Sequence, residues 1–429
     1  MNYPFSGIIV RYLLAGGATS QTETAGDAFG KVVSHTESIS DDKNKRPGDQ
    51  LHVNLWDMAG RQYLDIGVMV SNPSATKEVW VDIPWKLNEE SVIDLGAKLD
   101  GEKMITAIFN ELAEYTGESE KEYANVKLEL NNGEERHFFV VRLARRHFNF
   151  EYQPMPIGST RIKIGWPSRE DEGVSPTKAL YLRIRVRSVP PDVFFSTFRQ
   201  RDRNLLSSTT ITRLFDFRVN VRRGIPDEIL LGEQRLQFPQ FEKIHLFAIV
   251  DRGIELAFHS GNFKGSRSLE DEGIWNSYLD LTKNKKRQRY PDTVRDYLGY
   301  QWTASGKTSQ NAQKKRAEPA KDLVALGRFA HVVSSRWNNG RFMIVVILLG
   351  ACGSALWDLC KAVFWSDDDR PGAPVTLHIA LRLAFLLVVI SSALLADRDT
   401  AYSIIGMTKG LGQRLSARLR SWWEGIEPR

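Results

Sequence analysis

The chain has 429 residues, a formal net charge of +6, 26% charged residues and only 2 cysteines. This length allows two or three domains with sizeable cores, and the composition excludes a disulfide-stapled small scaffold. Both cysteines, Cys352 and Cys360, fall in one apolar segment, which excludes a cysteine metal centre elsewhere and fits a reducing cytosol.

The charge is unevenly distributed. Residues 1–135 hold 12 basic and 23 acidic residues, and residues 136–223 hold 18 basic, 16 of them arginine, and 7 acidic. Residues 224–429 carry the remaining 28 basic and 22 acidic residues. An acidic block next to a basic one either neutralises itself within or between subunits, or leaves the basic part open to an outside anion.

In chain order, MNYPFSGIIVRYLLAGG lacks a basic leader region and holds Arg11 inside its apolar run, so it predicts a buried strand rather than a signal peptide. The loop 37–50 follows, then a series of alternating or β-branched runs: LHVNLWD, YLDIGVMVS, EVWVDIP, NVKLEL, HFFVVRL, HFNFEY, TRIKIGW, ALYLRIRVR, TRLFDFRVNVRR, KIHLFAIV and IELAFH. Turn signals such as NNGEE, PSREDEG and DRG separate them. The pattern predicts a mainly β, sandwich-like and mostly antiparallel cytosolic region with some α+β elements. It divides near residue 135 into an acidic region, 1–135, and a basic one, 136–304. Helical spacing interrupts it at 101–115 and 268–281.

NLWDMAGRQ (54–62) is similar to a GTPase switch motif, and GDAFGKV (26–32) to a phosphate loop. Only three residues separate Gly26 from Gly30, and Val32 stands where a Ser or Thr should hold magnesium, so the chemistry is not supported. Trp56, Asp57 and Gly60 are then a strand entering a turn. The histidines show no metal-ligand spacing and no nucleophile elbow occurs, so neither enzymatic activity nor a cofactor is expected.

In the basic block, Arg183, Arg185 and Arg187 alternate along one strand and share a face. Arg161 and Lys163 repeat the pattern, as do Arg218 and Arg222, and RQRDR (199–203) adds three more arginines. If these strands adjoin, they form one cationic surface for a nucleotide or single-stranded oligonucleotide, because the guanidinium fork binds phosphate bidentately. Phe148, Phe150, Tyr152 and Trp166 supply possible stacking partners. The competing reading pairs these arginines with the acidic block.

Residues 305–340 predict a basic linker, flexible over 303–321, and an amphipathic helix at 322–337 built on Leu323, Leu326, Ala330, Val333 and Trp337. Residues 341–365 and 375–396 are apolar runs long enough to cross a bilayer, which needs about 20 residues. Asp367, Asp368 and Asp369 lie between them, and lysines and arginines crowd both outer flanks, so both termini are expected in the cytoplasm. Within the runs, Asp358, Lys361, His378 and Arg382 could line an aqueous path or form structural pairs, and Gly350 and Ser354 could let helices approach closely. The tail, 397–429, is basic and amphipathic and suits an anionic leaflet.

A β-rich domain joined by a basic linker to a C-terminal two-helix hairpin resembles, as an arrangement, membrane effectors of bacterial antiphage defence of the CBASS and Hailong kinds. The resemblance implies a bacterial inner-membrane protein, a nucleotide or oligonucleotide made by a partner nucleotidyltransferase, and a pore. Two helices cannot enclose a path alone, so a homo-oligomer, tetramer or larger, is expected. The alternative is a non-enzymatic membrane-anchored adaptor that binds a protein partner.

Overall fold

A computed structural model describes residues 3–15, 48–58, 61–118, 120–130, 132–153, 158–169, 174–175, 177–200, 209–230, 235–280, 294–306, 318–333 and 336–364. In chain order the strands are β1 (Ile9–Leu14), β2 (Asp49–Met58), β3 (Arg61–Val70), β4 (Thr76–Ile83), β5 (Val92–Asp94), β6 (Leu112–Thr116), β7 (Tyr123–Glu129), β8 (Glu135–Val141), β9 (Phe148–Gln153) and β10 (Ser159–Ile164). They continue with β11 (Ala179–Val186), β12 (Phe195–Gln200), β13 (Thr209–Val219), β14 (Leu236–Gln237), β15 (Phe241–Asp251), β16 (Glu255–His259), β17 (Phe263–Ser268), β18 (Tyr297–Ser305) and β19 (Leu323–Val333). The helices are α1 (Glu102–Phe109), α2 (Asp227–Leu230), α3 (Glu272–Leu279) and α4 (Arg336–Phe364).

The chain forms two compact units, one of residues 1–197 and 213–330 and one of residues 198–212 and 331–429. In the first, a long sheet runs β17-β18-β15-β2-β3-β11-β8-β7-β6, with β5 also on β11, and a five-stranded sheet runs β14-β1-β4-β10-β9. A smaller sheet is ordered β12-β13-β19-β16. Most pairings are antiparallel, but β2 with β15 and β8 with β11 are parallel. The mainly β expectation therefore holds. The division near 135 does not, because β7 and β8 pair across it inside one sheet.

Strand alternation builds the core. Leu51, Val53 and Leu55 of β2, Leu64, Ile66 and Val68 of β3, and Leu182, Ile184 and Val186 of β11 share one face of the long sheet. They form one apolar cluster with Val79 and Val81 of β4 and Ile162 and Ile164 of β10. The opposite face is closed as well. Trp56, Met69 and Tyr181 pack there with Ile105 of α1 and with Trp275 and Tyr278 of α3. A strand such as β11 is thus buried along its whole length.

Both predicted helices are shorter than expected. Asn110 takes a left-handed conformation (φ 59°) and caps α1, after which the chain pairs as β6. Asp271 caps the N-terminus of α3 by accepting from the Ile274 amide. The helix predicted at 322–337 is instead mostly β19, in which Leu323, Ala325, Gly327 and Phe329 are buried and the intervening residues exposed, a period of two.

In the second unit α4 has 29 residues and includes the first apolar run up to Phe364. Met343, Ile344, Val346, Ile347 and Leu349 are exposed along it. Among the described residues no helix is long and apolar enough to cross a membrane. The second run, 375–396, and the phosphate-loop-like 26–32 lie outside the described residues.

Candidate functional site: a basic cleft on the long sheet

The arginine stripes do not form one surface. Arg161 and Lys163 lie in the five-stranded sheet, Arg183 and Arg185 in the long sheet, and Arg218 in the small one, so the strands do not adjoin. Arg161 and Arg185 find their carboxylates in the acidic block, whereas Lys163 and Arg218 pair within the basic one. On β4, Asp82 sits directly opposite Arg161 and accepts from its Nε at 2.8 Å and from Arg11 Nη2 at 2.6 Å. Lys163 pairs with Glu151 at 3.1 Å and lies over the Trp80 ring. Arg218 pairs with Asp216 at 2.8 Å, whereas Arg222 is exposed and lies over Phe238. Arg187 is exposed, and residues 201–203 of RQRDR lie outside the described residues. Of the proposed stacking partners, Phe150 carries Arg145 and Tyr152 carries Lys86 over its ring.

Arg185 stands opposite Asp65 on β3 and holds it with Nε at 2.6 Å and Nη2 at 2.9 Å. Asp65 also accepts from Trp56 Nε1 and the Tyr278 hydroxyl, both at 2.8 Å. Burial works against the carboxylate, yet Arg185, Arg183 and Tyr278 together hold it below the usual carboxylate range.

This anion is spent on Arg185. Arg183, with no exposed surface, reaches Asp65 only at 4.0 Å and bonds to neutral groups: the Tyr278 hydroxyl at 2.7 Å, the Tyr181 hydroxyl at 2.9 Å and, in the amide orientation that satisfies both its ends, Asn54 at 3.0 Å. Two buried guanidiniums share one carboxylate, and Arg183 borders a cleft.

The cleft has a volume of about 570 Å³, within the usual range for small-molecule sites. Its floor is one row of the long sheet. The register sets Thr303, His245, His52, Gly67 and Arg183 side by side across β18, β15, β2, β3 and β11. Gly67 lets this row close up, since a Cβ there would lie 2.1 Å from the Tyr181 hydroxyl and 3.1 Å from Arg183 Nη1. The His52 and His245 rings are 5.3 Å apart.

Lys243, Arg267 and Arg136 add positive charge to the lining, and Glu111 and Glu134 add negative charge. Arg136 is paired with Glu242 at 3.1 Å. Neither Lys243 nor Arg267 forms a salt bridge among the described residues. Burial pushes the Arg267 guanidinium below its usual value, and it lies over the Phe247 ring, 4.5 Å from the centroid. Phe109, Phe247 and Trp275 give the lining an aromatic component.

Both histidines are held neutral. Burial, then Lys243 and Arg267, push His245 down to about 4, and burial, then His245, Arg183 and Lys243, push His52 well below its ordinary value. Among the described residues no group of three or more His, Cys, Asp or Glu is placed to hold a metal ion.

Of the predicted ligand residues, only Arg183 borders this cleft. His52, Asn54, Lys243, His245 and Arg267 carried no motif. Their signal was the alternation itself: Gln50, His52 and Asn54, and Lys243 and His245, put polar groups on one face of strands whose other face is aliphatic at Leu51, Val53 and Leu55 and at Ile244, Leu246 and Ala248. Of the residues proposed to line a pore or pair helices, Gly350, Ser354 and Lys361 are exposed on α4, with Lys361 over the Trp357 ring. The Asp358 side chain, His378 and Arg382 lie outside the described residues. No family model matches the chain, and no curated protein is significantly similar to it.

Proposed function

We propose that the protein is a ligand-controlled membrane effector, in which the basic cleft binds an anionic nucleotide or oligonucleotide and the C-terminal apolar segments of several copies form the pore it controls. The observation that carries the sensing part is the surplus of buried and half-buried cations around the cleft. Arg183, Lys243 and Arg267 face it without a carboxylate of their own, an arrangement a phosphorylated ligand would neutralise. The membrane part draws on the hydropathy of 341–365 and 375–396 and on the acidic turn between them. Antiphage defence with a partner nucleotidyltransferase is the setting this arrangement suits. A ligand moves such a pore only through unequal affinity for its closed and open states.

The test is ion flux from liposomes holding the full chain, with and without nucleotides and short oligonucleotides. Conductance that changes with ligand and is lost on reversing Lys243 and Arg267 supports the reading; no conductance under any condition removes the pore.

A membrane-anchored adaptor is favoured by a different observation. Phe258, Leu214 and Leu326, exposed by 58%, 43% and 37%, border a groove of about 430 Å³ on the small sheet. An adaptor keeps its protein partner when Lys243 and Arg267 are reversed and loses it when Phe258 is made serine.

A further inference from the structure

We infer that the cleft recognises a terminal phosphate monoester, the end of a free nucleotide or of a short oligonucleotide, through the ring N–H groups of His52 and His245 together with Lys243 and Arg267. This rests on the sensing function proposed above and narrows its ligand.

The hydrogen bonds decide what the histidines offer. Tyr181 accepts from Arg183 Nη1 and lies 3.2 Å from His52 Nδ1. The tyrosine has one proton to give, and giving it to Nδ1 satisfies both groups, which places the imidazole proton on Nε2. His245 Nδ1 lies 3.2 Å from the Thr303 hydroxyl, which accepts from the Gln301 amide and has its own proton to give, and 3.3 Å from that amide nitrogen, a donor; accepting at Nδ1 satisfies all three groups and places the imidazole proton on Nε2. The register fixes the two rings side by side in the lining. Each therefore keeps a neutral N–H donor with no other acceptor among the described residues.

These donors suit an acceptor-rich anion rather than a cation or a second donor. The charges facing them have the same preference. Lys243 comes from β15, Arg267 from β17, and Arg183 from β11, which acts through its charge since none of its surface is exposed. Arg136 of β8 and Glu242 of β15 largely cancel each other, and Glu111 and Glu134 are the carboxylates of the lining. Tyr181 is buried and pushed above its ordinary value by that burial, so it stays protonated.

The depth of the donors favours an end over a mid-chain group. Of the two donors His52 lies deep, at 7% exposure, and His245 beside it is half-buried. A monoester presents three bare oxygens and enters such a floor end-on, whereas a diester carries a sugar on each side and a single charge. Phe109, Phe247 and Trp275 then contact the body behind the phosphate.

Neutral donors also fix the pH response. The monoester becomes a dianion with a pKa of about 6, so its affinity should rise roughly fourfold from pH 5.5 to 7.5 as that form is populated. Protonated histidines as the anion-binding groups would give the opposite slope, and a diester none.

The experiment is titration calorimetry on the full chain in detergent, at pH 5.5 and 7.5, with four probes: inorganic phosphate, adenosine monophosphate, a 5′-phosphorylated trinucleotide and the same trinucleotide lacking that phosphate. The monophosphate and the phosphorylated trinucleotide distinguish a free nucleotide from an oligonucleotide end, and binding of either one with a rising pH profile is the expected result. K243Q and R267Q, each checked for native near-ultraviolet dichroism, should weaken it about tenfold. Equal binding of the unphosphorylated trinucleotide, or affinity that falls toward pH 7.5, overturns the inference but leaves nucleotide sensing standing. Binding by none of the probes removes both.

Discussion

Replacing Asp65 with asparagine keeps the shape and removes one charge from a place where two guanidiniums depend on it. Arg185 loses its bidentate partner, Arg183 its nearest anion at 4.0 Å, and the new amide group points donors at donors. Breaking a buried ion pair by removing one partner costs about 3–5 kcal/mol. In a domain of this size each kcal/mol moves the melting temperature by about 2–4 °C, so D65N should melt on the order of 10 °C lower. Thermal unfolding of the detergent-solubilised chain, followed by tryptophan fluorescence, reads this directly because Trp56 bonds to Asp65 and packs against Trp275. The double variant D65L/R185M should recover part of the loss, since it removes a charge of each sign. A loss below about 1 kcal/mol would refute the argument, because it would mean that Arg183 and Arg185 do not need that carboxylate. The sign with pH is also set. A carboxylate held below its usual value contributes stability that is complete above about pH 3.9 and disappears as pH falls through its folded value.

Acidification should weaken the fold well before that. His245 and His52 are held neutral in the folded chain but protonate near pH 6.5 once unfolded, so stability should drop below pH 6.5, by about 1.4 kcal/mol per unit toward pH 4 for His245, with His52 acting in the same direction. Asp94, pushed up to about 6 by burial, acts in the opposite sense, its cost appearing as pH rises from 3.8 toward 6. Urea melts at pH 5, 6 and 7.5 should show a net acid loss that H245Q reduces. G67A should destabilise by roughly 1–3 kcal/mol through overpacking against Tyr181 and lower affinity for the anionic ligand, read by melting and by titration. Reversing Lys243 and Arg267 to glutamate should abolish salt-sensitive ligand binding, whereas R187E, at an exposed position away from the cleft lining, should leave binding and melting unchanged in both assays.

The strands were legible because alternation is a local signal, and those read from β1 to β16 form close to where the runs place them. The fate of the arginines was not local. Alternation tells that Arg183 and Arg185 share a face; it does not tell that Asp65 lies across the pairing from Arg185 or that Tyr278 closes over both. The charge asymmetry did hold the answer in its self-neutralising form, with Asp65 and Asp82 of the acidic block meeting Arg185 and Arg161 of the basic one. The stretch 322–337 misled because its buried period-two positions include Ala325 and Gly327, whose small side chains hardly register as apolar, while the larger Leu326 and Val333 fall at helical spacing. The cleft was hidden for the same kind of reason: its histidines lie far apart in sequence.

The parallel pairing of β2 with β15 has a consequence for assembly during synthesis. Residue 52 must wait for residue 245, and Gln301 follows later still, so the binding row is closed by contacts of very high sequence separation, the kind that fold slowly. Until β15 has left the ribosome, Leu51, Val53 and Leu55 lack their neighbour and β2 presents an open apolar edge, the kind of exposure that invites mispairing. The ligand response proposed above can therefore begin only after the β-rich part is complete, which β19 closes at Val333, shortly before the first apolar run begins at residue 341.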